Sequence, residues 1–169
     1  MRQTEQHQNR ECLVPDMPRT FHLPSKDKAL PARYQDQYFD RKNTFEEMQH
    51  PVKLSNLTSL TAHDYEDMMH KMVSNAMLVD HKKNPCSDNF MKNASVDQTY
   101  VLYFSMMYEG APEVFLNIAK CLKVWDVDAR GFHKGAVRLF YNKAHLVLVG
   151  YPNSPYSIYK PNNIAAIYF

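Results

Sequence analysis

Phe115-Leu-Asn-Ile-Ala-Lys-Cys-Leu-Lys-Val-Trp125, Asp126-Val-Asp-Ala-Arg-Gly-Phe-His-Lys-Gly-Ala-Val137 and Arg138-Leu-Phe-Tyr-Asn-Lys-Ala-His145 follow one another without a break. The first segment places Ile118, Leu122 and Trp125 at helical spacing on one face. The second opens with two alternating carboxylates, Asp126 and Asp128, and reaches Gly131 three residues later. The third carries Phe140 and Tyr141 and is read as a second helix. A helix, an acidic loop that turns on a glycine, and a further helix predict a mostly α architecture.

This stretch resembles an EF-hand. Such a loop supplies oxygens from positions 1, 3, 5, 7, 9 and 12, with glycine at position 6 for the sharp turn. With Asp126 as position 1, Asp128 is position 3 and Gly131 is position 6. The ligands do not follow the frame. Position 5 is Arg130 and position 12 is Val137, which has no carboxylate. Two carboxylates do not fill a site that takes six to eight oxygens. The loop is therefore read as degenerate, and no metal or other cofactor is expected. EF-hands pair, and a partner is assigned upstream: a helix from about Thr61 to Leu78, the polar loop Val79 to Ser95, and an apolar helix from Asp97 to Tyr108.

A narrower resemblance lies in Thr99-Tyr-Val-Leu-Tyr-Phe-Ser-Met-Met-Tyr-Glu109, Pro112, Leu122-Lys-Val-Trp-Asp-Val-Asp-Ala-Arg-Gly-Phe132 and Phe140-Tyr141. These look like the EF-hand core of the B-double-prime regulatory subunits of type 2A protein phosphatase. The resemblance covers 60–143. It implies a non-enzymatic regulatory or scaffold protein that contacts phosphatase subunits through aromatic helix faces. Trp125, Phe132, Phe140 and Tyr141 are the partner-binding candidates. A structural component of a microtubule or ciliary assembly is the second reading, and a calcium sensor the third.

Composition narrows the classes. The chain has 169 residues and a net charge of +2 without a basic stripe, so nucleic acid is not an implied partner. Glycine is scarce at 4, which argues against a hairpin-rich β-fold and against phosphate-cradling loops. No nucleophile elbow or dinucleotide fingerprint occurs. Cys12, Cys86 and Cys121 have no metal-finger spacing, and their odd number suits a reducing compartment. The polar N-terminus is not an apolar signal region, and no run is long enough to cross a membrane. A cytoplasmic or cytoskeletal location follows. Asn56-Leu-Thr and Asn93-Ala-Ser match glycosylation sequons and, without a secretory signal, are read as chance.

The rest of the chain divides around this unit. Residues 1–53 are polar and punctuated by Pro15, Pro18, Pro24 and Pro31, an extended or flexible segment with one short helix within 34–50. Residues 54–145 form the EF-hand-like domain. Thr61 followed by acids is an N-cap, and Tyr65, Met68, Met69, Met72 and Val73 form the apolar face of that helix. His63, Asp67 and His70 share another face, the spacing of a partial metal site or of an ordinary solvated surface. Residues 146–169 are read as an extended, proline-punctuated tail.

Overall fold

A computed structural model describes residues 60–108, 113–124 and 131–168. The N-terminal segment 1–53 with its short helix lies outside these residues, as do Trp125, Asp126, Asp128 and Arg130. The described elements run α1 (Ala62–Ser74), β1 (Met77–Leu78), β2 (Thr99–Met106), α2 (Glu113–Cys121), β3 (Ala136–Tyr141), β4 (Ala144–Pro152) and a 3-10 helix (Pro155–Tyr159).

The mostly α expectation, with an EF-hand pair, is wrong. The core of the molecule is a four-stranded mixed sheet in the order β1-β2-β4-β3. β1, β2 and β4 run parallel to one another, while β3 is antiparallel to β4. The apolar run at 97–108, a helix by its sequence pattern, contains β2. Its eight residues are rich in β-branched and aromatic side chains, and a strand buried on both faces has no alternation to betray it.

The supposed exit helix after Gly131 is a hairpin instead. Arg138 pairs with Val147 and Tyr141 with Ala144, joined by a turn at Asn142 and Lys143. Both turn residues have positive φ, 48° and 65°, as a two-residue type I′ turn requires. An asparagine and a lysine do here what glycine usually does, so scarce glycine did not exclude a hairpin. Val137, the twelfth position of the calcium frame, lies buried in β3 opposite Leu148. The expected tail after His145 begins as β4, an interior strand of the sheet.

Alternation along the strands sorts side chains to two layers. Leu102, Phe104, Leu146, Leu148, Val137 and Tyr141 face α2, where Phe115, Ile118 and Leu122 are buried with Phe90 from the β1–β2 loop. Val101, Tyr103, Ala136, Val147 and Val149 face the opposite side, closed by Met69 and Val73 of α1 and by Tyr156. Burying each large apolar side chain contributes about 1.5–3 kcal/mol. α1 starts where sequence places it: Thr61 Oγ1 accepts the Asp64 amide at 3.2 Å.

Two cross-links hold the long β1–β2 connection. Cys86 and Cys121 form a disulfide between that connection and the last residue of α2. A separation of 35 residues hides this contact in sequence, and the odd number of cysteines did not exclude it. The second link is His81. Its Nδ1–H donates to the Val79 carbonyl at 2.7 Å, so its Nε2 is free to accept the Tyr103 amide at 3.0 Å. The imidazole thus stands where a strand carbonyl would otherwise meet β2. Beyond it, the chain returns: the Ile167 amide donates to the Tyr103 carbonyl and the Ser105 amide to the Ile167 carbonyl. One edge of β2 is therefore completed in turn by β1, a side chain, and the C-terminal segment.

Burial holds the His81 pKa below its ordinary 6.5, with the charge of Lys160 acting in the same direction against the Val79 hydrogen bond and Asp80. The folded state therefore binds a proton less readily than the unfolded state. Stability should be full above pH 6.5 and fall as the pH drops from there through the folded pKa. Urea midpoints for wild type and His81→Gln between pH 5 and 8 check this, and the component due to His81 should vanish in the variant. Opening the disulfide should lower stability by about 2–4 kcal/mol. Thermal unfolding of Cys86→Ser should match that of the reduced wild type, and equal melting temperatures for the oxidised and reduced proteins would contradict the link.

Candidate functional site

Glu66 lies on α1, and its side chain is 22% exposed. Three side chains from two other elements converge on its carboxylate. Lys134 Nζ is 3.0 Å from Oε1. The Tyr156 hydroxyl, from the 3-10 helix, lies 3.2 Å from Oε1 and 3.1 Å from Oε2. His133 Nε2 also hydrogen-bonds to Oε1.

His133 and Lys134 reach this point through a tight turn. The His133 amide donates to Ala136 and the Ala136 amide donates back, at 2.8 and 2.9 Å. Lys134 and Gly135 between them have φ of 47° and 75°. A side chain at Gly135 would also meet the Met106 methyl at 2.6 Å, so the turn is seated against the end of β2. Tyr156 is placed by Ser154, which caps the 3-10 helix and accepts the Tyr156 amide at 3.3 Å. Rings fill the surroundings. Tyr65 packs edge-on against His133 at 4.8 Å, and His70 packs edge-on against Tyr156 at 5.1 Å. His70 Nδ1 in turn hydrogen-bonds the Tyr159 hydroxyl at 3.0 Å.

Burial raises the Glu66 pKa, but the hydrogen bonds from His133, Lys134 and Tyr156, together with the charge of His133, outweigh it and bring the net direction down. A carboxylate held ionised by three donors is a weak base and a weak nucleophile. What the arrangement does is join α1, the turn into β3 and the 3-10 helix through one anion.

None of the sequence-derived candidates among the described residues is one of the groups bonded to Glu66. Phe132 packs edge-on against Phe115 at 4.8 Å, on the α2 side of the sheet. Tyr141 is buried in the same layer beside Phe90. Phe140 lies on the other face, edge-on to His145 at 5.3 Å. Gly131 is a turn residue with φ of 80°. Trp125, Asp126 and Asp128 lie outside the described residues.

The shared face of His63, Asp67 and His70 also separates. His63 Nδ1 lies 3.7 Å from Asp67 at the surface, whereas His70 turns to Tyr159. Among the described residues, no group of three His, Cys, Asp or Glu side chains could hold a metal ion. Glu66, His133, Lys134 and Tyr156 escape sequence reasoning because they are up to 90 residues apart and match no motif. The only hint is that Glu66 and His70, spaced i and i+4, share a polar stripe on α1.

No protein-family model matches the sequence.

Acid should loosen this junction. The Glu66 pKa is lowered on folding, so its contribution is present above the unfolded value of 4.5 and lost as the pH falls through the folded value. At pH 7, Glu66→Ala removes the carboxylate that the buried Tyr156 and the exposed Lys134 bond to and should destabilise by about 1–3 kcal/mol. Chemical denaturation of Glu66→Ala, Tyr156→Phe and the double variant would measure the coupling, with additive losses arguing against a shared junction.

Proposed function

We propose that this chain is a non-enzymatic protein-binding domain, acting as a regulatory or scaffold component through an apolar patch at one end of its sheet. The observation that carries this reading is the set of large exposed side chains gathered there. Met107 and Tyr108 continue β2 and are 72% and 62% exposed. Tyr151 comes from β4 opposite Ser105, and Tyr168 follows the Ile167 contact with β2 and is 80% exposed. Three separate stretches thus deliver thioether and phenol groups to one end of the molecule.

Isolated exposed apolar residues are ordinary, but several converging from different segments mark an interaction surface. Tyrosine and methionine also suit protein contacts, since both present broad apolar area with little charge to desolvate. The patch calls for a protein partner with an apolar contact face. Lys160, whose Nζ sits 4.6 Å above the Tyr151 ring, adds a cation at its border.

The Glu66 junction supports the non-enzymatic reading, because its donors all serve to hold the carboxylate rather than to activate it. Location bears on which partner is met. No helix among the described residues is long and apolar enough to cross a membrane. The three cysteines do not argue for a reducing compartment once Cys86 and Cys121 are bonded to each other. The disulfide favours an oxidising compartment over the cytoplasmic or cytoskeletal setting. Phosphatase subunits and tubulin, the partners implied by the sequence readings, are distinguishable outcomes of one experiment.

That experiment compares the full chain with a Met107→Asp/Tyr168→Asp variant as affinity baits for cell and secreted fractions, read by quantitative mass spectrometry. Circular dichroism first establishes that both are folded. Proteins specific to the wild type should fall at least about tenfold on the variant, as expected when central interface side chains are lost. Equal capture by both baits, or no capture by either, would refute the patch as the contact surface. Phosphatase scaffold and catalytic subunits, tubulin, or extracellular proteins among those lost would decide the partner class.

A further inference from the structure

We propose that Asn93 is an N-glycosylation site and that the domain matures in the oxidising lumen of the secretory pathway. Two independent features of one loop meet here. The first is the disulfide. Cys86 and Cys121 have a Cα–Cα distance of 4.4 Å, within the span a disulfide bridges, and they tie the β1–β2 connection to the end of α2. Disulfides of this structural kind form and persist where secreted proteins fold.

The second is the sequon seven residues further on, Asn93-Ala94-Ser95, with no proline at its centre. Asn93 and Ser95 are both exposed, on an irregular stretch that precedes β2. The backbone around them is held without using the acceptor side chain. Phe90 and Met91 are buried in the α2-side core. The Ala94 amide donates to Met91 at 3.0 Å, and the Ser95 amide donates to the Tyr100 hydroxyl at 3.0 Å. Asn142 Nδ2 donates to the carbonyls of Phe90 and Met91, at 3.3 and 3.4 Å, and ties the loop to the β3–β4 turn. Lys92 and Asn93 therefore face solvent from an anchored turn, where a bulky hydrophilic group is accommodated without disturbing the core. Val96, 63% exposed beside the sequon, is an apolar surface that such a group would shield.

The chemistry balances with two co-reactants of that compartment. A lipid-pyrophosphate-linked oligosaccharide supplies the sugar. A bond forms from Asn93 Nδ2 to its anomeric carbon, the bond from that carbon to the lipid pyrophosphate breaks, and Nδ2 loses one proton. The two thiols give up two protons and two electrons to the disulfide of an oxidoreductase, which becomes a dithiol.

The test uses the protein made by its own cells, isolated with an antibody to the chain. Free thiols are alkylated before any reduction. The sample is then treated with peptide-N-glycosidase in heavy-oxygen water and digested with trypsin. Cleavage after Lys92 and Lys120 releases Asn93 in one peptide. Most copies of that peptide should carry heavy-oxygen aspartate at position 93, and Cys86 and Cys121 should be alkylated only after reduction. Re-expressed in the same cells, Ser95→Ala and Asn93→Gln should each lose one glycan step in electrophoretic mobility while retaining the wild-type circular dichroism spectrum. Unlabelled asparagine at position 93 would overturn the proposal, including the case in which Asn56 alone is labelled. So would alkylation of Cys86 and Cys121 without reduction.

Discussion

Every other element hangs from the parallel pairing of β2 with β4. Eight consecutive residues are in register, from Thr99 opposite His145 to Met106 opposite Pro152. Both strands are interior, so each carries apolar side chains to both faces and has a neighbour on each side. Neither helix has a core of its own without them: α2 packs its buried face on one side of this pair and α1 on the other. Parallel strands cannot be joined by a tight turn. The chain between β2 and β4 must cross the sheet, and it does so through α2 before returning by way of β3.

That constraint explains why so much of the remaining structure consists of local repairs at the edge of β2. β1 is only two residues long. Past its end the Tyr103 amide would be left unpaired in a buried strand, a loss of about 1–3 kcal/mol. His81 supplies the missing acceptor, and Ile167 takes the next position along. The disulfide anchors the loop that carries His81 at a second point, on α2. An imidazole in place of a carbonyl makes the edge sensitive to protonation in a way that a longer β1 would not be.

The Glu66 junction solves a related problem on the α1 face. The 3-10 helix and the turn into β3 are short elements with little apolar area, and packing alone holds such pieces weakly. One ionised carboxylate receiving a hydroxyl, an ammonium and an imidazole fixes both against α1. Charge-assisted hydrogen bonds are stronger than neutral ones, which suits a half-buried junction. Met107, Tyr108 and Tyr151 lie at the carboxyl end of β2 and β4, beyond which the chain continues to α2 on one face and to the 3-10 helix on the other. In open α/β sheets that divergence is where binding crevices form.

Some of this was legible in the chain itself. Thr61 and the acids after it marked the start of α1, and the spacing of Ile118 and Leu122 marked α2, because capping and helical amphipathicity act over a few residues. β2 and the β3–β4 hairpin were not legible in the same way. Thr99 to Met106 has no period, since both of its faces are buried, and the Asn142-Lys143 turn lacks the usual glycine. The disulfide, the His81 acceptor and the three groups around Glu66 depended wholly on tertiary structure. Their partners are separated by 22 to 90 residues, and only the parallel register of β2 and β4 brings them within bonding distance.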